Sequence, residues 1–169
     1  MKLESVKAIV EALAGAQARY LVVGGLAVVA HGYVRYTKDI DLVIQLLPGN
    51  LARALAAFQQ LGYRPAVPVS IEEFADRATR ERWIREKGLT VFQLWSDAHR
   101  ETPVDVFVAE PFDFDREYEA ALRKPLFGRL EVRVVSLPTL IRMKEAVGRP
   151  EDRIDVEHLR RMLGDKQGV

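Results

Sequence analysis

The chain contains no cysteine, which excludes disulfide bridges, thiolate metal ligands and a cysteine nucleophile. It lacks an excess of either charge as well: 25 Lys and Arg stand against 24 Asp and Glu. A net charge of +1 gives no reason to expect a surface built to coat nucleic acid, although a local basic patch fits within a neutral total. No apolar run approaches the roughly 18 residues that a membrane helix needs. Met1-Lys2-Leu3-Glu4 has no basic-then-apolar leader pattern, and neither internal repeats nor low-complexity linkers interrupt the sequence. These absences point to a cytoplasmic chain with no membrane partner. What remains, 49% hydrophobic and 29% charged residues over 169 positions, suits one hydrophobic core. A single domain over 1–169 is expected, with a core over about 18–110 and a C-terminal helical part over about 136–164.

The stretch Tyr20 to Gln45, YLVVGGLAVVAHGYVRYTKDIDLVIQ, organises the rest. Tyr20-Leu21-Val22-Val23 is an apolar, β-branched run of the kind that forms buried strands, and Gly24-Gly25 ends it. Leu26 to His31 then predicts a short helix whose free N–H groups face back towards the glycines, an arrangement that suits an anion. A second strand is predicted over Asp39-Ile40-Asp41-Leu42-Val43-Ile44. Side chains alternate along a strand, so Asp39 and Asp41 share a face, about 6.5–7 Å apart at Cα. Two like charges that close beside apolar residues are costly without a compensating cation.

Around this segment, apolar spacing predicts helices over 3 to about 18, over 51–61, from 136 to near Gly148, and from Pro150 to Gly164. Ser70-Ile71-Glu72-Glu73 has the form of a capping box. A hairpin is expected from two strands, Arg82-Trp83-Ile84-Arg85 and Leu89 to Leu94, joined at Lys87-Gly88, with both Trp83 and Trp95 in the core. Thr102 to Val108 predicts a strand holding one carboxylate, Asp105, in an apolar run, which makes it the natural third member beside Asp39 and Asp41. A short acidic helix over 112–122 and an edge-type strand over 130–135 follow. Alternation of strands and helices gives an α/β (α+β) class, with a mixed sheet flanked by helices.

Each singled-out residue also has a plainer reading. Asp39 and Asp41 are solvated if their strand is an exposed edge, Asp105 if it ends its strand, and Gly24-Gly25 can simply allow close strand–helix packing. Arg35, Thr37 and Lys38 lie where they can reach a phosphate, or form a solvated turn. His31 on an apolar helix face is expected to be a hydrogen-bonded packing residue.

The joint pattern of glycine pair, Asp39-x-Asp41 and a later lone Asp105 resembles the nucleotidyltransferase superfamily with the DNA polymerase β fold. GGLAVVAHGYVRYTKDIDLVI, together with Lys144, Arg149, Asp152 and Asp155 in MKEAVGRPEDRIDVEHL, is similar to its AbiEii-type branch, which includes toxins of toxin–antitoxin systems. The resemblance covers roughly 18–163. It implies an enzyme in which Asp39, Asp41 and Asp105 hold two Mg²⁺ ions. A nucleoside monophosphate would move from an NTP to a hydroxyl or phosphate acceptor: a tRNA 3′ end, a protein or a small molecule. Gly24, Gly25, Arg35, Thr37, Lys144 and Asp155 would bind the nucleotide. A partner antitoxin or a homodimer is the further implication. One departure stands out: the superfamily's common glycine–serine pair is absent, since Leu26 follows Gly25, and a hydroxyl donor is lost with it. That loss motivates an alternative, a nucleotide-binding or partner-binding module of the same fold without turnover.

Overall fold

A computed structural model describes residues 1–126, 128 and 130–167, without the side chains of 165–167. The expected domain range 1–169 therefore takes in residues 127, 129, 168 and 169, which lie outside this description. Helix α1 (Leu3–Gly15) leads into strand β1 (Tyr20–Val23), all four of whose residues are buried. Gly24, with φ +62°, turns the chain directly into α2 (Gly24–His31), which Gly32 closes at φ +118°. A loop then delivers β2 (Ile40–Ile44), followed by α3 (Pro48–Gln60) with proline in its first turn. Next come the two-residue strand β3 (Arg64–Pro65), α4 (Ile71–Ala75), α5 (Arg77–Lys87), β4 (Val91–Trp95), β5 (Val104–Phe107) and α6 (Phe114–Ala120). The hairpin β6 (Leu122–Leu126) and β7 (Leu130–Val134) precedes α7 (Leu137–Val147) and α8 (Pro150–Gln167).

The strands form one mixed sheet in the order β3-β4-β5-β2-β1-β7-β6, as the α/β reading requires. Parallel pairs β2–β5 and β1–β7 sit beside antiparallel ones. Register places Val22, Leu42 and Val106 in one row across the sheet, on the face where Val6, Ile9 and Val10 of α1 pack. Asp41 and Asp105 are paired on the opposite face. One side of the sheet is therefore covered by α1, with an apolar cavity of about 260 Å³ between them, and Phe74 of α4 and Trp83 of α5 stack on Phe92 further along the same side. The other opens onto α7 and a cleft with charged and apolar walls.

Three expectations fail. Arg82–Arg85 is not a strand but part of α5, which Asp76 caps by accepting from Thr79 N at 2.7 Å. Gly88 ends the helix in the left-handed region. Trp83 and Ile84 suggested a strand, yet only Arg80 and Trp83, three apart, are buried. β7 is likewise not at an edge, because β1 and β6 flank it. The edge is β6, which the sequence reading missed. Its Pro125 offers no N–H, and a strand with one free side tolerates that. The capping box at Ser70 and Glu73 is present. Trp83 joins the core, whereas Trp95 is half-buried with the Arg64 guanidinium 4.3 Å from its ring centroid. No helix among the described residues is long and apolar enough to cross a membrane.

Candidate active site

Three strand positions bring the candidate residues together. β1 ends just before Gly24, β2 begins just after Asp39, and β5 runs parallel to β2 so that Asp41 and Asp105 are register partners. Neighbouring strands lie about 4.8 Å apart, which places these carboxylates side by side. Asp39 sits one residue before β2, and its charge acts on both. Burial, then the charges of Asp39 and Asp105, push the Asp41 carboxyl up to about 6, against the opposing pull of the Gly25 N–H and Lys144. Burial also raises Asp105. Gln93 Nε2 donates to its Oδ1 at 2.9 Å and opposes that rise, while Asp39 adds to it. The plainer reading of a solvated edge strand does not describe Asp41, whose strand is interior to the sheet.

The glycine pair is shaped by what faces it. A Cβ on Gly24 would lie 1.8 Å from Asp41 Oδ2, and one on Gly25 would lie 2.5 Å from Thr37 Oγ1. The Gly25 N–H lowers the pKa of the Asp41 carboxyl, so an amide expected to face a phosphate also acts on the carboxylate.

Across the cleft is a cationic wall. Lys144 is 6% exposed, and its Nζ lies 2.8 Å from Asp152 Oδ1 and 2.9 Å from Asp155 Oδ2. Arg35 pairs with Asp155, and Arg149 Nε donates to Asp152 Oδ2 at 2.8 Å. Burial pushes the Asp152 carboxyl up, but hydrogen bonds from Arg149 and Lys144 outweigh it and hold the group below the usual carboxylate range. Arg149 Nε also lies 3.5 Å from Glu151 Oε1, so the three cations are set among three carboxylates. Asp155 is therefore a support for Arg35 and Lys144, with 2% of its surface exposed, and not a group open to a ligand. Lys144 is itself held between two carboxylates.

These walls enclose a cleft of about 260 Å³, lined by Gly24, Gly25, Arg35, Thr37, Asp39, Asp41, Lys144, Arg149, Glu151 and Asp152, whereas Asp105 is not among its lining residues. Phe107, Pro111, Leu140, Met143 and Val147 complete its apolar side. Lys38 is exposed and does not line the cleft. His31 Nε2 lies 2.8 Å from Val135 O, the packing role expected of it. Sequence reasoning missed Gln93 and the apolar wall. Gln93 carries a signal only once β4 is registered against β5, where it falls opposite Asp105.

Do these residues fit divalent cations? Among the described residues no group of three or more His, Cys, Asp or Glu side chains is arranged to hold a metal ion. The donor chemistry nevertheless fits one: the ligands are oxygen-only, and the neighbouring negative charge that makes Asp41 and Asp105 harder to ionise is what a hard cation would offset.

A family model described as "Nucleotidyltransferase of unknown function (DUF6036)" matches residues 1–162. The chain belongs to that family. Among solved structures, this nucleotidyltransferase is similar to lincosamide antibiotic adenylyltransferase LnuA, lincomycin-bound. The identity is 13%, the TM-score 0.58, and the alignment covers 94% of this chain and 96% of that one. It is also similar to ANT(2")-Ia in complex with adenylyl-2"-tobramycin, at 14% identity and TM-score 0.60, covering 98% and 91%. A solution structure of ANT(2'')-Ia matches at 19% identity and TM-score 0.54, over 98% and 92%. At these identities the likeness is one of fold. No curated protein matches the nucleotidyltransferase by sequence.

Proposed function

We propose that the protein transfers a nucleoside monophosphate from an NTP to a hydroxyl of a small molecule, using Asp39, Asp41 and Asp105 with divalent metal. The observation that carries this reading is the placement of Asp39 and Asp41 against a glycine corner, with Asp105 as the register partner of Asp41 and with Arg35, Lys144 and Arg149 across the same cleft. Two Mg²⁺ ions, when bound by the three aspartates, would supply charge neutralisation at the reacting phosphate. The protein's own groups do the rest. Arg35 and Arg149 attract the polyphosphate, with Lys144 behind them adding to the field. The acceptor oxygen attacks the α-phosphorus in line, and its proton passes to Asp105. The bond to pyrophosphate breaks, and pyrophosphate leaves towards the cations.

A small-molecule acceptor is favoured by the apolar wall of Phe107, Pro111, Leu140 and Met143 beside the carboxylates. Two solved proteins of the same fold, of which this chain covers 91% or more, hold lincomycin or an adenylylated tobramycin. An AbiEii-like toxin acting on tRNA or protein would share the chemistry and differ in acceptor. Incubation with each NTP, Mg²⁺ and panels of lincosamides, aminoglycosides and tRNA, read by mass spectrometry, tests the proposal. A metal-dependent product mass heavier by one nucleoside monophosphate, absent in Asp41→Ala, is expected. NTP binding with no product on any acceptor would favour the non-catalytic module.

A further inference from the structure

We infer that the Thr37 hydroxyl is the side-chain donor to the terminal phosphates of the nucleotide, delivered from the 32–39 loop into the space a side chain on residue 25 would fill. The inference rests on the nucleotide-transfer reading and names one contact within it.

The corner where the polyphosphate is expected is short of donors. Gly24, Gly25 and Leu26 carry no hydroxyl or amide side chain, and the Gly25 N–H already acts on Asp41. A phosphate brought to the start of α2 needs hydrogen bonds from elsewhere. Thr37 supplies one. Its Oγ1 lies 2.5 Å and its Cβ 2.9 Å from the point where a Cβ on Gly25 would sit, and Arg35 Cζ is 3.9 Å from the same point. A hydroxyl and a guanidinium thus flank the first turn of α2, and both line the cleft with Asp39 and Asp41.

The hydroxyl is weakly engaged within the protein. Its two contacts, to Asp39 O and Asp39 Oδ1, are both 3.4 Å, well beyond the 2.7–2.8 Å typical of a good O–H···O bond. A phosphate oxygen at ordinary distance would take the hydrogen from either.

The loop's placement is also well supported. Its residues alternate: Val34, Tyr36 and Lys38 are exposed, while Tyr33, Arg35, Thr37 and Asp39 turn inward. Three α8 residues hold the inward side. Asp155 pairs with Arg35, His158 stacks on Tyr33 with ring centroids 3.9 Å apart, and Met162 Cε lies 3.5 Å from where a Cβ on Gly32 would be. Spacing of three and four residues puts all of them on one face of the helix. Thr37 is thus presented from a loop fixed at its base, and Gly25 must lack a side chain for the hydroxyl to fit.

Titration calorimetry of the full chain with ATP, GTP, CTP and UTP in Mg²⁺ tests this, with the unfolding midpoint of each variant measured alongside. Thr37→Val keeps the shape and removes only the hydroxyl. It is expected to weaken the preferred NTP by about tenfold to a hundredfold. Thr37→Ser is expected to recover most of that loss. A purely structural threonine would tolerate valine, so wild-type affinity in Thr37→Val overturns the inference and leaves the transfer reading standing. Absence of binding by the wild-type chain to all four NTPs would remove both. A reciprocal swap gives a second measure should Thr37→Val prove unstable. Gly25→Ser alone drives its side chain into Thr37 and should bind poorly, whereas Gly25→Ser with Thr37→Gly should regain affinity because the hydroxyl arrives from the other side. Failure of the swap to improve on Gly25→Ser counts against the inference.

Discussion

Gly24 and Asp41 claim one volume: a Cβ on the glycine would fall 1.8 Å from the carboxylate Oδ2. Gly88 has nearly the same backbone angle, φ +61° against +62°, but faces open space. The pair separates backbone strain from loss of the site. Both Gly24→Ala and Gly88→Ala should cost about 1–2 kcal/mol of stability for a left-handed alanine. Only Gly24→Ala should also displace Asp41 and lower kcat/KM for transfer by more than about a hundredfold, since displacing a reacting group by 1 Å is costly on that scale. Equal activity in the two variants would contradict the placement of Asp41.

Asp41 makes the metal-free protein sensitive to pH. Its carboxyl rises in the fold from an ordinary 3.8 to about 6. The folded state therefore holds more protons than the unfolded chain between these values. Stability falls as pH rises through that window, and the cost is complete above about 6. At pH 8 and without divalent ions, Asp41→Asn should be more stable than wild type by on the order of 3 kcal/mol in urea denaturation. The gain should vanish near pH 3, and added Mg²⁺ should stabilise the wild type but not the variant. A less stable Asp41→Asn at pH 8 would show that the carboxylate is already compensated.

Asp152 is 1% exposed and holds both Lys144 and Arg149. Asp152→Ala leaves a buried ammonium with Asp155 as its remaining carboxylate partner, so a loss of about 3 kcal/mol is expected from urea denaturation. The KM for NTP should rise as the cationic wall loosens. A stability change below about 0.5 kcal/mol would mean the network contributes little.

Gln93 restrains Asp105 by a single 2.9 Å hydrogen bond that lowers the carboxyl's pKa. Gln93→Leu removes it, so the acid limb of the pH profile of kcat should move to higher pH with KM for NTP little altered. An unmoved limb would show that Asp105 does not govern that ionisation.

The carboxylate site was legible because it is built from parity and punctuation. Asp39-x-Asp41 fixes one face by strand alternation, Gly24-Gly25 marks a turn, and Asp105 is conspicuous in an apolar strand. The parallel β2–β5 pairing, which no local pattern encodes, then sets Asp105 beside Asp41. What escaped depends on contacts distant in sequence. Arg82 to Arg85 looked like a strand because Trp83 and Ile84 favour one, and only the Asp76 cap and the burial of Arg80 with Trp83 disclose a helix. β6 was hidden by Pro125 and by charge, as suits an edge. The glycine pair was read as open to phosphate, but its occupancy by Asp41 and Thr37 is a tertiary fact.

In α8, three successive contacts secure the loop that carries Arg35 and Thr37, and this helix follows every strand of the sheet in the chain. The acidic strands and the support of that loop are thus encoded in separate stretches of the chain, so shortening α8 would free the loop without removing a single strand.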